Sequence, residues 1–459
     1  MGPQGGGRNR THPCQEDPVT ESVSDTASEG VAEPAPGSLW HNGDYLGWWA
    51  GNTLSALGTS VSTIAFPLLV LASTGSVGKA GLIGSANLLG VVATALWGGA
   101  LADRVSRRAI LTVGPLAQAA ALAVVAVLAR GHHPALPPLV AASLLSGLLS
   151  GVVLGASTPA LARIVPKEQL ATANGQAMSR DMLAQLLGAP LGGVLFGLAR
   201  WVPFGADALS FVFAALGALN IRRPLGPDRD ADAPRTSLLQ DVGAGLRFVR
   251  RQPFLRFVVV MASVLNMVAQ AFMLLLIALV GHRGGGATAV GLVSATTVAG
   301  GFVGSLVAPA IVRRFRPRTL LCAAVSVFTV GLAVTALVPQ VWEIAVVVCL
   351  TQVATVPVNV VLMTYVMRLV PDRLLGRVAA VNRFGAYALE WCGPLLAGLF
   401  VALFGVPGGM LALLVVMVPM TVALMVAPAL GVLATPAEEL VELTEEPAAP
   451  VVSVVPVAV

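Results

Sequence analysis

Long apolar stretches alternate with short polar segments along most of this chain. Each stretch is about 20 residues or longer, which is the length an α-helix needs to cross the hydrocarbon core of a bilayer. The stretches are continuously apolar and lack the two-residue alternation of membrane β-strands, so they predict helices. Twelve spans are predicted, at 44–72, 78–102, 109–129, 137–165, 174–199, 203–221, 253–281, 287–312, 319–338, 341–370, 378–404 and 407–433.

The composition agrees with this pattern. Apolar residues make up 56% of the chain and charged residues 11%, which is about half the charged fraction of soluble proteins. Mean hydropathy is +0.82. The predicted fold class is therefore an all-α integral membrane protein. The four cysteines lack the spacing of a metal site or a disulfide framework, and no phosphate-binding loop is present. No cofactor, no metal and no enzymatic activity are expected.

The positive charges predict the orientation. Lys79, Arg130, Arg200 and Arg283 fall on one side of the predicted membrane. The other 24 of the 28 Lys and Arg residues fall on the second side, at a span end facing it, or in a tail on that side. Because positively charged segments are retained in the cytoplasm, we expect a multi-pass protein of the cell membrane with both termini cytoplasmic. This retention signal explains the net charge of +5 without a nucleic-acid partner.

The polar segments divide the chain into domains. Residues 1–39 are rich in Gly, Pro, Ser and acidic residues, and residues 435–459 join an acidic stretch to a Pro/Val-rich end. Both are predicted to be disordered cytoplasmic tails. Two six-helix bundles are predicted at 40–221 and 253–434, joined by a cytoplasmic linker at 222–252.

The linker carries an amphipathic pattern. Apolar residues recur there at helical spacing among arginines, which indicates a helix lying at the membrane surface. An ordinary solvated connector is the alternative. The apolar positions are Leu238, Leu239, Val242, Leu246 and Val249.

Two pairs of segments repeat in chain order. Residues 81–111 align without gaps with 291–321, and eight of the 31 positions are identical. Residues 161–198 align in the same way with 366–403. Spans 2–3 therefore resemble spans 8–9, and spans 4–5 resemble spans 10–11. The repeats predict two pseudo-symmetric bundles, the architecture of many secondary transporters.

The segment after span 2 carries the clearest motif, Gly99-Ala-Leu-Ala-Asp103-Arg104-Val-Ser106-Arg107-Arg108. It resembles the loop 2–3 signature of the major facilitator superfamily, with Ser106 where Gly is usual. Four further segments are similar to the macrolide-efflux and siderophore-exporter branch of its drug:proton antiporters. They are Ser55-Ala-Leu-Gly58, Pro159-Ala160, the segment from Pro166 to Asn174, and Asp207-Ala-Leu-Ser-Phe211.

This resemblance implies the major facilitator fold and a secondary active transporter that works by alternating access. It implies export of a small amphipathic molecule, such as a drug, antibiotic, siderophore or natural product, in exchange for protons. An importer or uniporter of the same fold stays open, as does a non-transporting membrane receptor. The expected partners are the lipid bilayer, a small-molecule substrate and protons, and a monomer is expected. The chain departs from the family pattern at two places. Relatives often have an acidic residue where this chain has Thr59, and span 4 of this chain lacks the mid-membrane Arg of other drug antiporter branches.

The resemblance also assigns a conformational latch to the loop 2–3 motif. In the family, the carboxylate at the position of Asp103 lies against the N-terminus of span 11 when the cytoplasmic side is closed. A helix N-terminus attracts negative charge. The arginines of the motif are expected to add charge-assisted hydrogen bonds between the halves, or alternatively to fix only the topology. The latch residues are Gly99, Asp103, Arg104, Arg107 and Arg108.

Glu390 is the sharpest candidate for a coupling site, because it lies near the middle of predicted span 11. An ionised carboxylate at mid-bilayer costs roughly 2.5–3.5 kcal/mol, so Glu390 is expected to face a cavity and to bind a proton or a cationic substrate. Arg383 is predicted to be its counter-ion on the same helix face. The repeat places Gln185 at the equivalent point of span 5, and Tyr387 and Trp391 are expected to form an aromatic wall. A buried structural carboxylate is the alternative.

Other polar residues in the spans are weaker candidates. Asn52 is predicted to line the cavity, and Asp181 to be a second coupling residue. Arg180 and Asp181 are adjacent, so they are expected to point about 100° apart and not to pair. Asp207 and Glu343 lie near span ends and are expected to have structural roles.

Glycines and prolines in spans 5 and 11 resemble the family's antiporter motif, Gly-Pro-x-x-Gly-Gly. Small residues let helices approach closely and Pro bends a helix, so the resemblance implies a leak-tight hinge between the bundles. Plain helix packing is the alternative. The matching segments are Gly188-Ala-Pro190-Leu-Gly192-Gly193 and Gly393-Pro394-Leu-Leu-Ala-Gly398.

Overall fold

The computed structural model describes Gly2 and residues 39–131, 134–222 and 238–434. Apart from residues 2 and 39, the predicted tails lie outside the described residues, as does most of the predicted linker, 223–237. The side chains of Asp103 and Arg104 also lie outside the described part of the chain.

Fourteen α-helices make up the described residues, which contain no strand. They are α1 Gly43–Thr74, α2 Val77–Arg104, α3 Arg107–Leu128, α4 Leu136–Ile164, α5 Leu170–Leu198, α6 Val202–Leu219, α7 Leu238–Arg251, α8 Pro253–His282, α9 Ala287–Arg314, α10 Pro317–Leu337, α11 Val341–Leu369, α12 Asp372–Tyr387, α13 Cys392–Ala412 and α14 Leu414–Val426. Short 3₁₀ turns lie at Leu39–His41, Lys167–Gln169 and Pro428–Ala434.

Eleven stretches of the described chain are long and apolar enough to cross a membrane. The last of them, Gly376–Val426, is 51 residues long and would measure about 76 Å as one helix, more than twice a hydrocarbon core of about 30 Å. The backbone turns inside this stretch at Gly405, whose φ is +71° and ψ −179°, a conformation open essentially to glycine alone. The stretch therefore holds predicted spans 11 and 12, and the predicted all-α fold is confirmed.

Local signals in the sequence set several helix ends. The Asn42 side chain accepts hydrogen bonds from the backbone N–H groups of Asp44 and Tyr45, at 3.1 and 3.3 Å, and so begins α1. Gly75, with a φ of +63°, ends α1 in the left-handed conformation that glycine adopts without strain. Proline in the first turn begins α4, α6, α8 and α10, where its missing N–H costs nothing.

The two halves of the chain repeat one packing scheme. In the first half, α1 packs on α5, α2 on α4, and α3 on both α4 and α6. In the second half, α8 packs on α13, α9 on α11, and α10 on both α11 and α14. These pairs correspond to each other through the two sequence repeats, which explains why the repeats share small residues at helix crossings.

The halves meet through α2 against α13 and α5 against α9. We call the bundle end that carries 105–108 and 313–318 the basic face, and the other end the opposite face. Among the described glycines, every close approach between the halves lies toward the opposite face. We call these contacts the seal: Gly78 with Gly398, Gly81 with Pro394, Ala189 with Gly291, and Gly193 with Ala287.

A helix also forms where the linker pattern predicted one. This helix, α7, packs on α8 and α12, with Phe248 and Val249 buried and Arg247, Arg250 and Arg251 exposed. Its location at a membrane surface stays a prediction.

Candidate functional site

A cavity of about 350 Å³ lies between the two halves, directly beneath the seal. Five helices of the first half contribute to its wall, together with α8 and α13 of the second half. We call it the central cavity. Its wall is largely apolar and includes Phe66, Phe211 and Met273. Its polar residues are Thr59, Ser62, Thr63, Asn87, Ser143, Ser146, Ser150, Asp207 and Gln270.

A second cavity, of about 300 Å³, lies within the first half toward the basic face. We call it the side cavity. It shares Thr59, Ser150 and Phe211 with the central cavity, so the two cavities adjoin along one wall. Asn52 lies in its wall, as predicted for a cavity residue, and donates a hydrogen bond to the Trp48 carbonyl at 2.8 Å.

Arg180 lines the side cavity, and its pairing differs from the prediction. Its Nε and Nη2 atoms donate to Asp181 Oδ1 at 2.9 and 2.8 Å. The long Arg side chain curls along the helix surface, so the diverging Cβ directions do not prevent the contact. The guanidinium also lies 5.6 Å from the ring centre of Trp48. Asp181 is half-exposed, at 50%, whereas the Arg180 side chain is 10% exposed.

Glu390 lies in predicted span 11, within the apolar stretch Gly376–Val426, but at a break between two helices. Helix α12 ends at Tyr387 and α13 begins at Cys392. The backbone between them is wound more tightly, with the Glu390 N–H bonding to the Tyr387 carbonyl at 3.1 Å and the Gly393 N–H to the Glu390 carbonyl at 3.1 Å. Pro394 explains the break, because it has no N–H and its ring clashes with a helical carbonyl four residues earlier, at Glu390.

The Glu390 side chain has a partner in the wall of the central cavity. Gln270 Nε2 donates a hydrogen bond to Glu390 Oε1, and Gln270 itself lines that cavity. Arg383 is exposed, and the described residues contain no ion pair between Arg383 and Glu390. The prediction that Arg383 is the counter-ion of Glu390 is therefore wrong in this conformation. The break between α12 and α13 removes the continuous helix that would place the two residues on one face.

The other residues predicted around Glu390 are more dispersed. Trp391 follows Glu390 in the turn and is half-buried, while Tyr387 ends α12 and is 46% exposed. Gln185 is exposed on α5 and lies in the wall of neither cavity described above. The geometry does not bring Gln185 and Glu390 into one cavity.

Asp207, for which the sequence predicts a structural role near a span end, also lies in the cavity wall. It is 2% exposed and lies in the wall of the central cavity, where Ser210 Oγ donates to Asp207 Oδ1 at 3.2 Å. Its place in the Asp207-Ala-Leu-Ser-Phe211 segment was the available signal. By contrast, Glu343 has the expected structural role, because its side chain accepts from the Gln340 N–H at 3.1 Å and caps α11.

The predicted hinge residues all lie at close helix crossings, including Pro190, whose Cα would lie 3.1 Å from a Cβ on Gly291. Gly188 and Gly192 face α1, where a Cβ on Gly192 would lie 2.8 Å from the Val61 carbonyl oxygen. Gly193 and Gly398 belong to the seal, and Gly393 faces α8 next to Gln270. These contacts fit a hinge and plain packing alike.

Arg108 of the loop 2–3 motif bonds within its own half in this conformation. Its Nη2 donates to the Leu219 carbonyl at the end of α6, and Arg107 is buried at 5% exposure. The expected contacts between the halves belong to the conformation in which the cytoplasmic side is closed, and they stay a prediction. Gly99 lies in α2.

Residues 48–389 match the sequence model of the Major Facilitator Superfamily. The chain belongs to this family. It is similar to the multidrug efflux pump Tap of Mycolicibacterium fortuitum, with 26% identity over 352 residues that cover 74% of this chain and 85% of that pump. It is also similar to the Tap pump of Mycobacterium tuberculosis, with 26% identity over 364 residues that cover 75% of this chain and 84% of that pump. The resemblance predicted from the sequence is thus confirmed.

Solved transporter structures share the fold. The nucleoside transporter NupG has a TM-score of 0.68 at 12% identity, covering 84% of this chain and 98% of its own. A bacterial homologue of the iron transporter ferroportin, in an inward-facing state, has a TM-score of 0.63 at 17% identity and coverages of 85% and 100%. A bacterial homologue of the human lysosomal transporter Spinster, inward-facing and unoccupied, has a TM-score of 0.66 at 14% identity. The match covers 87% of this chain and 97% of that homologue.

Proposed function

We propose that this facilitator exports a small amphipathic molecule from the cytoplasm by alternating access, in exchange for protons. The observation that carries the proposal is the central cavity, which both halves line and which the seal closes toward the opposite face. A cavity closed at one end by contacts between two halves is what a rocking-bundle mechanism requires. The similarity to multidrug efflux pumps supports the direction of transport.

The wall of the cavity supports an amphipathic substrate. Aromatic and aliphatic side chains provide most of its surface, and neutral hydroxyl and amide groups provide hydrogen-bond partners. Such a mixture suits drug-like molecules, because apolar contacts supply affinity and a few polar groups fix orientation. Drugs, antibiotics, siderophores and natural products of this kind are the proposed substrates.

The distribution of charge supports the sidedness. Exposed arginines cluster at the basic face, including Arg313, Arg314 and Arg316. By the positive-inside rule this face is cytoplasmic, which makes the conformation with a closed seal inward-facing. The opposite face is then extracellular, and the export cycle opens the seal to release substrate there.

Glu390 is the proposed coupling carboxylate. It stands in the break between α12 and α13 and accepts a hydrogen bond from Gln270 on α8. A carboxylate that gains a proton loses part of its acceptor capacity, so protonation weakens the link between α8 and the break. Because Gln270 also lines the central cavity, the same event changes the wall that contacts substrate.

The test is transport in inverted membrane vesicles, with the wild type and the Glu390→Gln variant assayed for uptake of ethidium and a set of hydrophobic antibiotics. We expect uptake that collapses with a protonophore and is lost in the variant. Glu343→Gln is the matched control, since it removes a carboxylate that only caps α11. Uptake that survives both the protonophore and the variant would reject proton coupling through Glu390.

A further inference from the structure

We propose that Asp207 is a second proton-binding group of the transport cycle and that it takes up its proton from the opposite face when the seal opens. This inference rests on the proposed proton-coupled export. It goes beyond that proposal because it assigns a residue of the first half, whereas Glu390 belongs to the second half.

The first observation is the isolation of Asp207. Among the described residues that line the central cavity, it is the one with an ionisable side chain. The contact to Ser210 comes from a neutral hydroxyl, and no ion pair to Asp207 is present in the described part of the chain. An unpaired charge buried in this way is costly, so the neutral, protonated form is favoured while the cavity stays closed.

The charged groups on the helices that pack against α6 lie far from Asp207, as measured along the helix axes. Arg108 contacts Leu219, twelve residues and about 18 Å from Asp207 along α6. Arg180 lies over Trp48, ten residues and about 15 Å along α1 from Gly58, which packs against Asp207. The titratable and charged residues of the helices packed on α6 are Asp44 and Tyr45 on α1, Arg107 and Arg108 on α3, and Arg180 and Asp181 on α5.

The second observation is a second hydroxyl at the same place. Ser62 Oγ is buried against the Asp207 carboxyl, so two neutral serine hydroxyls stand beside this group. A hydroxyl can donate to an ionised carboxylate and can accept from a carboxylic acid. The site can therefore hold Asp207 in either protonation state, as a group that binds and releases a proton requires.

The third observation is the position of Asp207 relative to the seal. Asp207 lies five residues, or about 8 Å, from the start of α6 at the opposite face. Pro394 lines the same cavity and contacts Gly81 in the seal. When α2 and α13 part at these contacts, the cavity that holds Asp207 opens toward the opposite face. Glu390 lies one helical turn before Pro394, toward the basic face.

These positions define a simple proton transfer. With the seal open, a hydronium ion from the opposite face transfers its proton to an Asp207 carboxylate oxygen and leaves water. With the seal closed, a cationic substrate that enters the central cavity stabilises the Asp207 carboxylate, and the proton passes from Asp207 to cavity water, next to the side cavity toward the basic face. One proton moves inward for each substrate cation that moves outward, and no other bond forms or breaks.

The experiment uses purified full-length protein in liposomes, with ethidium as the transported probe. Counterflow of ethidium measures exchange without a proton gradient, and accumulation under an imposed gradient measures coupling. We expect Asp207→Asn, which keeps the size of the side chain, to retain counterflow within about twofold and to lose gradient-driven accumulation. Glu343→Gln is the control and should retain both.

An infrared measurement keeps the test independent of transport. The difference spectrum of wild type minus Asp207→Asn should show the carbonyl stretch of a protonated carboxylic acid that titrates with pH, because a band from Glu390 is common to both proteins and cancels. Accumulation equal to wild type in Asp207→Asn, or a difference spectrum without this band, would overturn the assignment. Failure of the wild type itself to accumulate ethidium under a proton gradient would instead reject the proposed function.

Discussion

Arg108 and Arg318 occupy equivalent positions in the two sequence repeats, and each binds the carbonyl end of the equivalent helix. Arg108 Nη2 donates to the Leu219 carbonyl, the last residue of α6. Arg318 Nη2 donates to the Met425 carbonyl at 2.9 Å, one residue before the end of α14. Both guanidinium groups satisfy carbonyls that a helix C-terminus leaves unpaired. The repeated arginines therefore stabilise each bundle in addition to any effect on topology.

This pairing predicts a loss of stability on Arg318→Ala. The substitution removes a charged donor and leaves a carbonyl of α14 unpaired, so we expect a destabilisation of about 1–2 kcal/mol. Thermal unfolding of the purified protein in detergent measures the effect. Arg316→Ala removes an exposed arginine two residues away and should unfold like the wild type. Equal unfolding temperatures for both variants would show that the contact contributes nothing.

Substitution of Gly58 should disturb Asp207. A Cβ atom at Gly58 would lie 2.5 Å from Asp207 Oδ1, so Gly58→Ala forces the carboxyl to move and is expected to cost about 1–3 kcal/mol. We expect reduced thermal stability together with weaker proton-driven accumulation. The matched control on the same helix is Gly47→Ala, whose Cβ would lie at an ordinary contact distance of 3.6 Å from the Gly217 carbonyl oxygen.

Enlarging a glycine of the seal should favour the conformation in which the seal is open. A Cβ at Gly291 would lie 2.5 Å from the Ala189 carbonyl oxygen, and the larger side chain of Gly291→Val cannot be accommodated without separating α5 and α9. Overpacking of about 1–3 kcal/mol corresponds to a population shift of roughly 5- to 150-fold. Accessibility of a single cysteine placed near the seal to a membrane-impermeant thiol reagent measures the shift. Gly281→Ala, where the added Cβ meets nothing within 4 Å, should leave accessibility unchanged.

Filling the shared cavity wall should discriminate between substrates by size. Ser150 lines both cavities, so Ser150→Phe places a ring where the two join. We expect a higher KM for a bulky antibiotic and a smaller change for ethidium, measured by initial uptake rates in vesicles. A uniform loss for every substrate, with normal unfolding, would contradict this prediction.

The sequence alone predicts those structural features that a single local segment determines. Span positions, the repeats and the loop 2–3 motif depend on local composition and spacing, and the helices follow them closely. The break at Glu390 was also encoded locally, because Pro394 stands four residues after it, but an apolar run hides such a break from a hydropathy pattern. Arg383 was then misplaced, because a facing pair at seven residues requires an unbroken helix.

The central cavity was beyond prediction for a different reason. Its wall combines residues as distant in sequence as Thr59 and Pro394, and their meeting depends on how the two halves pack. Asp207 lies near a span end in the sequence, and its burial depends on how α1 packs against α6. Similarly, the contact of Arg180 with Asp181 depends on a side-chain conformation that helical geometry alone does not specify.

The wall that the two cavities share has a consequence for inhibition. A rigid molecule long enough to fill both cavities would contact Thr59, Ser150 and Phe211 near its middle. It would then contact α1, α4 and α6 at once. With its far end against Gln270 and Pro394, it would also bridge the two halves. Such a compound would block transport by holding the bundles together rather than by competing for one subsite, and its potency would fall with any change that opens the seal.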